Sequence, residues 1–183
     1  MALLKYLNRR QMGADTVLSD RHRLVLMDCF ETLVQYADGR YIARTGVVVF
    51  LEEITKRRRK TVVVISDAAQ QVIEAALRES GLWGYVRDVY HAGNSAEDLG
   101  HGRMRKRLDL VLTEYQTARD DAVFIGDSPL DAEAAAFHQV PFIRVPRSED
   151  HTFTFVSLLA GPSRYDSGEF SSKLFQTYQV PKA

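Results

Sequence analysis

The sequence predicts an α/β protein with a doubly wound, Rossmann-like parallel sheet of about five strands in a three-layer arrangement. Short apolar runs, typical of strands that are buried on both faces, occur at residues 24–28, 61–66, 88–93, 122–127 and 141–146. Segments with apolar residues at helical spacing lie between these runs, at residues 45–59, 67–81, 104–115 and 128–138. This alternation favours parallel strands that are covered by helices on both faces of the sheet.

The length and the composition suit one globular domain. The chain has 183 residues, of which 45% are hydrophobic and 26% are charged, and this balance is typical of a folded protein with a sizeable core. We therefore expect a single domain over residues 1–183, with the strand and helix pattern confined to about 22–146. Residues 147–183 leave that pattern, so we expect this C-terminal tail to dock on the domain or on a partner.

The charge balance and the cysteine content limit which classes of partner and which cellular location we expect. Lys plus Arg and Asp plus Glu both total 24, so no overall field attracts the chain to a membrane or to nucleic acid. The basic run 56–60 ends a predicted helix, where cations are favourable, so nucleic acid is not the favoured partner, although the sequence leaves it open. The single cysteine, Cys29, precludes an internal disulfide and is expected to fill the core. Residues 1–10 lack a signal-peptide pattern, and we expect a cytoplasmic protein.

Three of the predicted strands end in a small polar residue. Asp28, Ser66 and Asp127 each close an apolar run. Ligands of doubly wound sheets bind beyond the carboxyl ends of the strands, where these side chains would meet. The sequence therefore predicts one site that combines two carboxylates and a hydroxyl.

Helix capping offers a competing explanation for two nearby segments. Asp131 follows Ser128 and a proline in a pattern that is typical of a capping box at the start of a helix. Ser66 and Asp67, with a glutamine three residues after Asp67, could likewise serve only as a helix cap. Asp127 has no such explanation, so the functional interpretation depends on the segments meeting at one place.

The order of these segments resembles the motifs of the haloacid dehalogenase superfamily of phosphohydrolases. The resemblance rests on "VLMDCFETLV" at 25–34, "VVVIS" ending in Ser66, a basic segment around Lys106, and "VFIGDSPLD" at 123–131. It extends over about residues 22–146. Its most specific part is Gly126-Asp127-x-x-x-Asp131, placed in order after a D-x-x-x-T-L strand.

The resemblance implies a catalytic role for three residues. Asp28 is the expected nucleophile, which forms an aspartyl-phosphate, and Ser66 is the expected phosphate-binding hydroxyl. Lys106 is expected to balance the negative charge of nucleophile and substrate, with Arg103 and Arg105 as alternatives. The basic segment falls at the start of a predicted helix, where positive charge is unfavourable unless an anion lies close. This placement favours a functional interpretation of the segment.

The resemblance also implies Mg²⁺ as the cofactor. Carboxylates that surround one hard cation suit phosphoryl transfer, which needs charge neutralisation and in-line positioning. The implied metal ligands are Asp28, Asp127 and the backbone carbonyl of Phe30, with Asp131, Thr32 and Glu31 as supporting residues.

Phe30 is the main departure from the family pattern. Family phosphatases usually have an aspartate at this position, which protonates the leaving oxygen and later activates water. Such proton transfer contributes roughly 10²–10⁴ in rate, so we expect an active enzyme with reduced turnover. Glu31 is a candidate substitute. The alternative function is an impaired protein that binds phosphate or a partner without turnover.

An aromatic residue at the position of Phe30 also occurs in the superfamily's 2-haloacid dehalogenases, which need no metal. Those enzymes resemble S-S-N-x-x-D at the last motif, whereas this chain has Gly126-Asp127. Metal-assisted phosphoryl chemistry is therefore favoured over dehalogenation.

The spacing of the motifs predicts no cap domain. Asp28 and Ser66 are 38 residues apart, and Ser66 and Lys106 are 40 residues apart. The first interval contains an Asp38-Gly39 turn that is typical of a β-hairpin flap. An open site admits a phosphorylated small molecule or macromolecule, and a second subunit in a homo-oligomer could cover it.

Overall fold

The structure, a computed structural model, describes residues 18–159. Its centre is a five-stranded parallel sheet with the order β5-β4-β1-β8-β9, accompanied by two antiparallel hairpins, β2–β3 and β6–β7. The strands are β1 (Leu24–Met27), β2 (Val34–Ala37), β3 (Arg40–Ala43), β4 (Thr61–Ile65), β5 (Asp88–Tyr90), β6 (Ala96–Asp98), β7 (Met104–Lys106), β8 (Ala122–Gly126) and β9 (Phe142–Arg144). The predicted α/β class and parallel sheet are confirmed.

Helices cover both faces of the sheet, as predicted. They are α1 (Val47–Glu52), which continues into a π-helical turn (Glu53–Arg57), α2 (Gln70–Glu79), α3 (Ala92–Ser95), α4 (Leu108–Glu114) and α5 (Pro129–His138). Side chains of β1 alternate between two buried clusters: Val25 and Met27 pack with α1 and α2, whereas Leu24 and Leu26 pack with α4 and α5. This division explains why the strands are apolar on consecutive residues.

The hairpin β2–β3 forms the predicted flap. Asp38 and Gly39 both have positive φ angles, 53° and 78°, and they connect the paired residues Ala37 and Arg40. Two successive residues with positive φ are typical of the turn that matches the twist of a two-residue hairpin.

The prediction of one helix over residues 104–115 is wrong at its start. Met104–Lys106 is β7, which pairs with β6, and the helix begins only at Leu108. The charge argument based on a helix start therefore does not apply to the basic segment. Met104 and Lys106 lie on the same face of this short strand, and burial increases along it from the exposed Met104 to the buried Lys106.

The first part of the C-terminal tail docks on the domain. A 3₁₀ helix (Phe155–Leu159) places the ring of Phe155 5.5 Å from that of Phe50 in α1, and the amide of Leu18 donates to the carbonyl of Leu158 at 2.9 Å. The rest of the tail, 160–183, for which docking on the domain or a partner was also predicted, lies outside the described residues. Among residues 18–159, none of the helices has the length and apolar character needed to span a bilayer.

Candidate active site

Asp28 and Asp127 lie side by side at the carboxyl edge of the sheet. β1 and β8 are parallel neighbours in which Met27 pairs with Ile125, so each strand delivers its following aspartate at the same level. The amide of Asp28 donates to the carbonyl of Ile125 at 2.9 Å, which continues the ladder by one residue. Both aspartates are buried. The predicted convergence of these two strand ends is present in the structure.

Lys106 reaches this pair of strands from the hairpin β6–β7. Its Nζ lies 2.6 Å from Oδ1 of Asp28 and 2.6 Å from Oδ1 of Asp131, and only 5% of the residue is exposed. The two alternative basic residues are engaged elsewhere. Arg103 pairs with Glu133, and Arg105 pairs with Glu97 and stacks on the ring of Phe137. Of the three candidates, the structure therefore brings Lys106 to Asp28.

Asp131 serves the helix cap and the site together. One carboxylate oxygen accepts from the amide and the hydroxyl of Ser128, at 3.1 and 2.7 Å, which completes the capping box of α5. The other oxygen accepts from Lys106. Gly126 makes room for this contact, because a Cβ there would lie 2.7 Å from Cγ of Asp131. The two interpretations of Asp131 are thus compatible.

Three buried carboxylates can converge on one cation. Asp28, Asp127 and Asp131 each offer an oxygen, and these oxygens lie within 4.8 Å of one another. Hard divalent cations such as Mg²⁺ prefer carboxylate oxygens as ligands, so the residues present fit such an ion. Phe30 was predicted to contribute its backbone carbonyl, and that contribution stays a prediction.

The loop after β1 is fastened by two side chains. Thr32 donates its hydroxyl to Oδ1 of Asp127 at 2.9 Å, which links the first and last motifs. Arg44, a buried residue at the end of the flap, donates to the carbonyls of Glu31, Thr32 and Arg147. Sequence reasoning identified Thr32 but missed Arg44, since no local pattern distinguishes this arginine from a solvated one.

Ser66 and Asp67 occupy the end of β4. Ser66 is buried, and its hydroxyl accepts from the amide of Ala68 at 3.5 Å. The alternative of a helix cap is wrong for both residues, because α2 begins after Ala69 and its first turn has no side-chain cap. Asp67 points its carboxylate toward the site, with Oδ2 3.9 Å from Nζ of Lys106. Sequence reasoning considered Asp67 only as a cap.

Phe30 and Glu31 both interact away from the carboxylate cluster. The ring of Phe30 lies 5.5 Å from that of Tyr41 in β3, which in turn lies 5.1 Å from the exposed ring of Tyr36. The carboxylate of Glu31 accepts from the amide and hydroxyl of Ser148. The predicted substitute acid is therefore held by a partner on another loop.

Burial and neighbouring charges shift the pKa values of the site residues in opposite directions. Burial raises the pKa of Asp28 to about 7, although Lys106 opposes this shift. Burial would lower the pKa of Lys106, but Asp28 and Asp131 outweigh it and raise the pKa, so the ammonium stays charged. Burial also raises the pKa of the Cys29 thiol, and Asp28 raises it further. Cys29 is fully buried and packs in the core, as predicted.

The arrangement combines a buried carboxylate, a fixed ammonium group and a carboxylate cluster at one edge of the sheet. An anion such as a phosphoryl group would find a positive charge at Lys106, and a divalent cation would find oxygens beside it. The same elements can therefore hold a phosphate and its counter-ion together.

Comparisons with known proteins found one family model and similar solved structures. Residues 15–145 match the family model described as haloacid dehalogenase-like hydrolase. Among solved structures, a HAD-superfamily hydrolase of subfamily IA, variant 1, from Geobacter sulfurreducens PCA is 16% identical with a TM-score of 0.54, over 69% of this chain and 92% of that one. An uncharacterized protein from Listeria monocytogenes serotype 4b is 19% identical with a TM-score of 0.48, over 74% and 96% of the two chains.

No curated protein sequence matches the chain. The similarity to the Geobacter protein concerns the fold alone. The family match, by contrast, spans most of the sequence and includes the strand ends that carry Asp28, Ser66 and Asp127. The chain therefore belongs to the haloacid dehalogenase-like hydrolase family.

Proposed function

We propose that this protein is a Mg²⁺-dependent phosphohydrolase that acts through an aspartyl-phosphate on Asp28. The observation that carries the proposal is the position of Lys106, whose ammonium group lies 2.6 Å from both Asp28 and Asp131 beside Asp127. Three buried carboxylates outnumber the buried ammonium of Lys106 and the largely exposed Arg147, whose Nε lies 3.7 Å from Asp127. The remaining negative charge is one that a divalent cation would neutralise.

Each residue has a chemical task in this proposal. Asp28 supplies the attacking oxygen, while Lys106 holds its other oxygen and attracts the phosphoryl group. Ser66 donates its hydroxyl to a phosphoryl oxygen. Asp28, Asp127 and Asp131 would hold Mg²⁺, with the Phe30 carbonyl as a further ligand. When bound, Mg²⁺ supplies charge neutralisation at the phosphoryl oxygens.

A second candidate function is binding of phosphate or a partner without turnover. Phe30 favours it, because an aromatic ring packed on Tyr41 cannot transfer a proton. The two candidates share the same site and differ in whether Asp28 becomes phosphorylated.

Hydrolysis of p-nitrophenyl phosphate with and without Mg²⁺ tests the proposal. Wild-type protein should release phosphate only with Mg²⁺, and Asp28→Asn should abolish release. Asp20→Asn is the matched control, since this exposed aspartate pairs with Arg58 before β1, at the opposite edge of the sheet. Equal activity of wild type and Asp28→Asn would contradict the phosphoenzyme, and phosphate binding without release would favour the second candidate.

The natural substrate is proposed only as a phosphorylated compound, small or macromolecular. Within residues 18–159, the interval between β1 and β4 contains the flap and α1, and the interval between β4 and β7 contains α2, β5, α3 and β6. These short insertions support an open site without a cap domain, which a second copy of the chain could cover. A fully buried, single cysteine suits the cytoplasmic location that we propose.

A further inference from the structure

Asp67 is a carboxylate at the mouth of the candidate site that none of the family motifs includes. Its Oδ2 lies 3.9 Å from Nζ of Lys106, and the same nitrogen lies 2.6 Å from Oδ1 of Asp28. One ammonium group therefore connects Asp67 with the proposed nucleophile. The side chain of Asp67 is 49% exposed, whereas that of Asp28 is buried. Of the two carboxylates, Asp67 is therefore the more accessible to a group that arrives from solvent.

We propose that Asp67 is the proton donor and acceptor of the reaction, in the role that Phe30 cannot fill. This inference rests on the proposed function and names a catalytic residue for it. Asp67 comes from the end of β4, whereas Phe30 belongs to the loop after β1, so the same task would be performed from the neighbouring strand.

The two half-reactions balance with Asp67 as the only proton-transferring group. An oxygen of Asp28 forms a bond to phosphorus, the bond between phosphorus and the leaving oxygen breaks, and protonated Asp67 gives its proton to that oxygen. The alcohol leaves. Ionised Asp67 then takes a proton from water, whose oxygen attacks the phosphorus of the aspartyl-phosphate. The bond to Asp28 breaks with its electron pair on the Asp28 oxygen, which yields phosphate and protonated Asp67.

The charges around Asp67 suit a group that alternates between its two protonation states. Burial and the neighbouring Asp131 raise its pKa, while Lys106 on β7 lowers it, with burial the largest of these effects. Asp28 contacts the same ammonium, with its Oδ1 at 2.6 Å. A carboxyl group with a raised pKa carries a proton in a larger fraction of molecules near neutral pH than an ordinary aspartate does, so it is more often ready to donate one.

Glu31 is less suited to this task. Its carboxylate accepts from the amide and the hydroxyl of Ser148, and its backbone carbonyl accepts from Arg44. Reaching the leaving oxygen would require these contacts to break. Asp67 has no competing hydrogen bond among the contacts described within residues 18–159 other than its approach to Lys106.

The test compares substrates that differ in their need for an acid. p-Nitrophenyl phosphate has a good leaving group that needs little protonation, whereas β-glycerol phosphate releases an alkoxide that must be protonated. With Mg²⁺, Asp67→Asn should lower kcat/KM for β-glycerol phosphate by about 10²-fold and the first turnover of p-nitrophenyl phosphate by less than about 10-fold. Asp20→Asn should behave as wild type with both substrates.

A second readout is independent of turnover. The phosphoryl adduct on Asp28 should accumulate in Asp67→Asn, detected by mass spectrometry after acid quench, because hydrolysis of the adduct needs a base. Asp67→Glu should restore part of the activity and lower the adduct again.

Two outcomes would overturn the role of Asp67. One is an equal loss with both substrates and no adduct, which would mean that Asp67 only positions Lys106. The other is wild-type protein that hydrolyses p-nitrophenyl phosphate but not β-glycerol phosphate, which would mean that no acid operates. Failure of the proposed function itself has a different signature, namely an active Asp28→Asn.

Discussion

At the scale of single residues, burial of Asp28 disfavours the ionised form of its carboxyl group. Burial raises its pKa from 3.8 to about 7, against the attraction of Lys106. The folded protein therefore binds a proton more tightly at Asp28 than the unfolded chain does. The carboxyl group contributes stability that is complete below pH 4 and is lost as the pH rises toward 7.

Asp28→Asn should consequently stabilise the metal-free protein at pH 8 by about 1–3 kcal/mol, since one pKa unit is worth about 1.4 kcal/mol. At pH 4 both side chains are neutral in the folded state, so the gain should disappear. Urea unfolding at the two pH values measures the difference. Lower stability of the variant at pH 8 would show that the attraction between Asp28 and Lys106 outweighs the cost of burial.

Phe30→Asp should partly rescue the loss caused by Asp67→Asn. A carboxylate at position 30 would supply the missing proton transfer, so turnover of β-glycerol phosphate by the double variant should exceed that of Asp67→Asn by up to roughly 10². The gain should be limited, because Phe30 is half-buried against Tyr41 and a carboxylate there is poorly solvated. Phe30→Leu in the same background is the control, and an equal gain with leucine would contradict a role for the carboxylate.

At the scale of secondary-structure elements, the junction between β8 and α5 depends on Gly126. The side chain of Asp131, in the first turn of α5, caps the helix and binds Lys106. A Cβ on residue 126 would lie only 2.7 Å from Cγ of Asp131. A larger residue fits only if the side chain of Asp131 or the start of the helix moves.

Gly126→Ala should therefore destabilise the protein by about 1–3 kcal/mol through overpacking and a weakened cap. Gly84→Ala is the matched control, because a Cβ at Gly84 would meet nothing within 4 Å. Chemical denaturation of the two variants gives the comparison. A loss no larger for position 126 than for position 84 would mean that Asp131 adapts at little cost.

The elements also show what the sequence could predict. The five parallel strands were predictable because burial on both faces makes them continuously apolar, and Asp28 and Asp127 were predictable because they end such strands. β7 was not, because Met104 is in helical register with Leu108, Val111 and Leu112, and this short strand has a polar partner, β6. The spacing of apolar residues along the chain does not predict which segments pair as strands across a turn.

At the scale of the whole molecule, contacts between distant segments complete the site. Thr32 meets Asp127 across 95 positions, Lys106 meets Asp28 across 78, and Arg44 meets the carbonyl of Arg147 across 103. Lys106 was predicted from the resemblance, whereas Arg44 and Asp67 were not predicted, since their contacts exist only after the sheet and hairpins have assembled. The site is consequently sensitive to the stability of the entire fold.

A metal ion at this site should stabilise the entire fold, because its ligands come from three different parts of the chain. Asp28 follows β1, Asp127 follows β8 and Asp131 belongs to α5, and their oxygens approach within 4.8 Å. Lys106 offsets only part of the repulsion among these carboxylates. A cation that binds only the folded state would offset more of it and raise the stability of the fold by mass action. At about 100 times its Kd, Mg²⁺ should add about 2.7 kcal/mol, which corresponds to roughly 5–10 °C in Tm.

Asp127→Asn should remove this Mg²⁺-dependent shift, because an amide is a poorer ligand for a hard cation than a carboxylate. The substitution retains an oxygen that can accept from the hydroxyl of Thr32, so the link between the two loops is preserved. Thermal unfolding with Mg²⁺ and with EDTA measures the shift in wild type, in Asp127→Asn and in the exposed control Asp20→Asn. Wild type and the control should respond equally to Mg²⁺. An undiminished shift in Asp127→Asn would remove Asp127 from the metal site and leave it as the acceptor that orders Thr32.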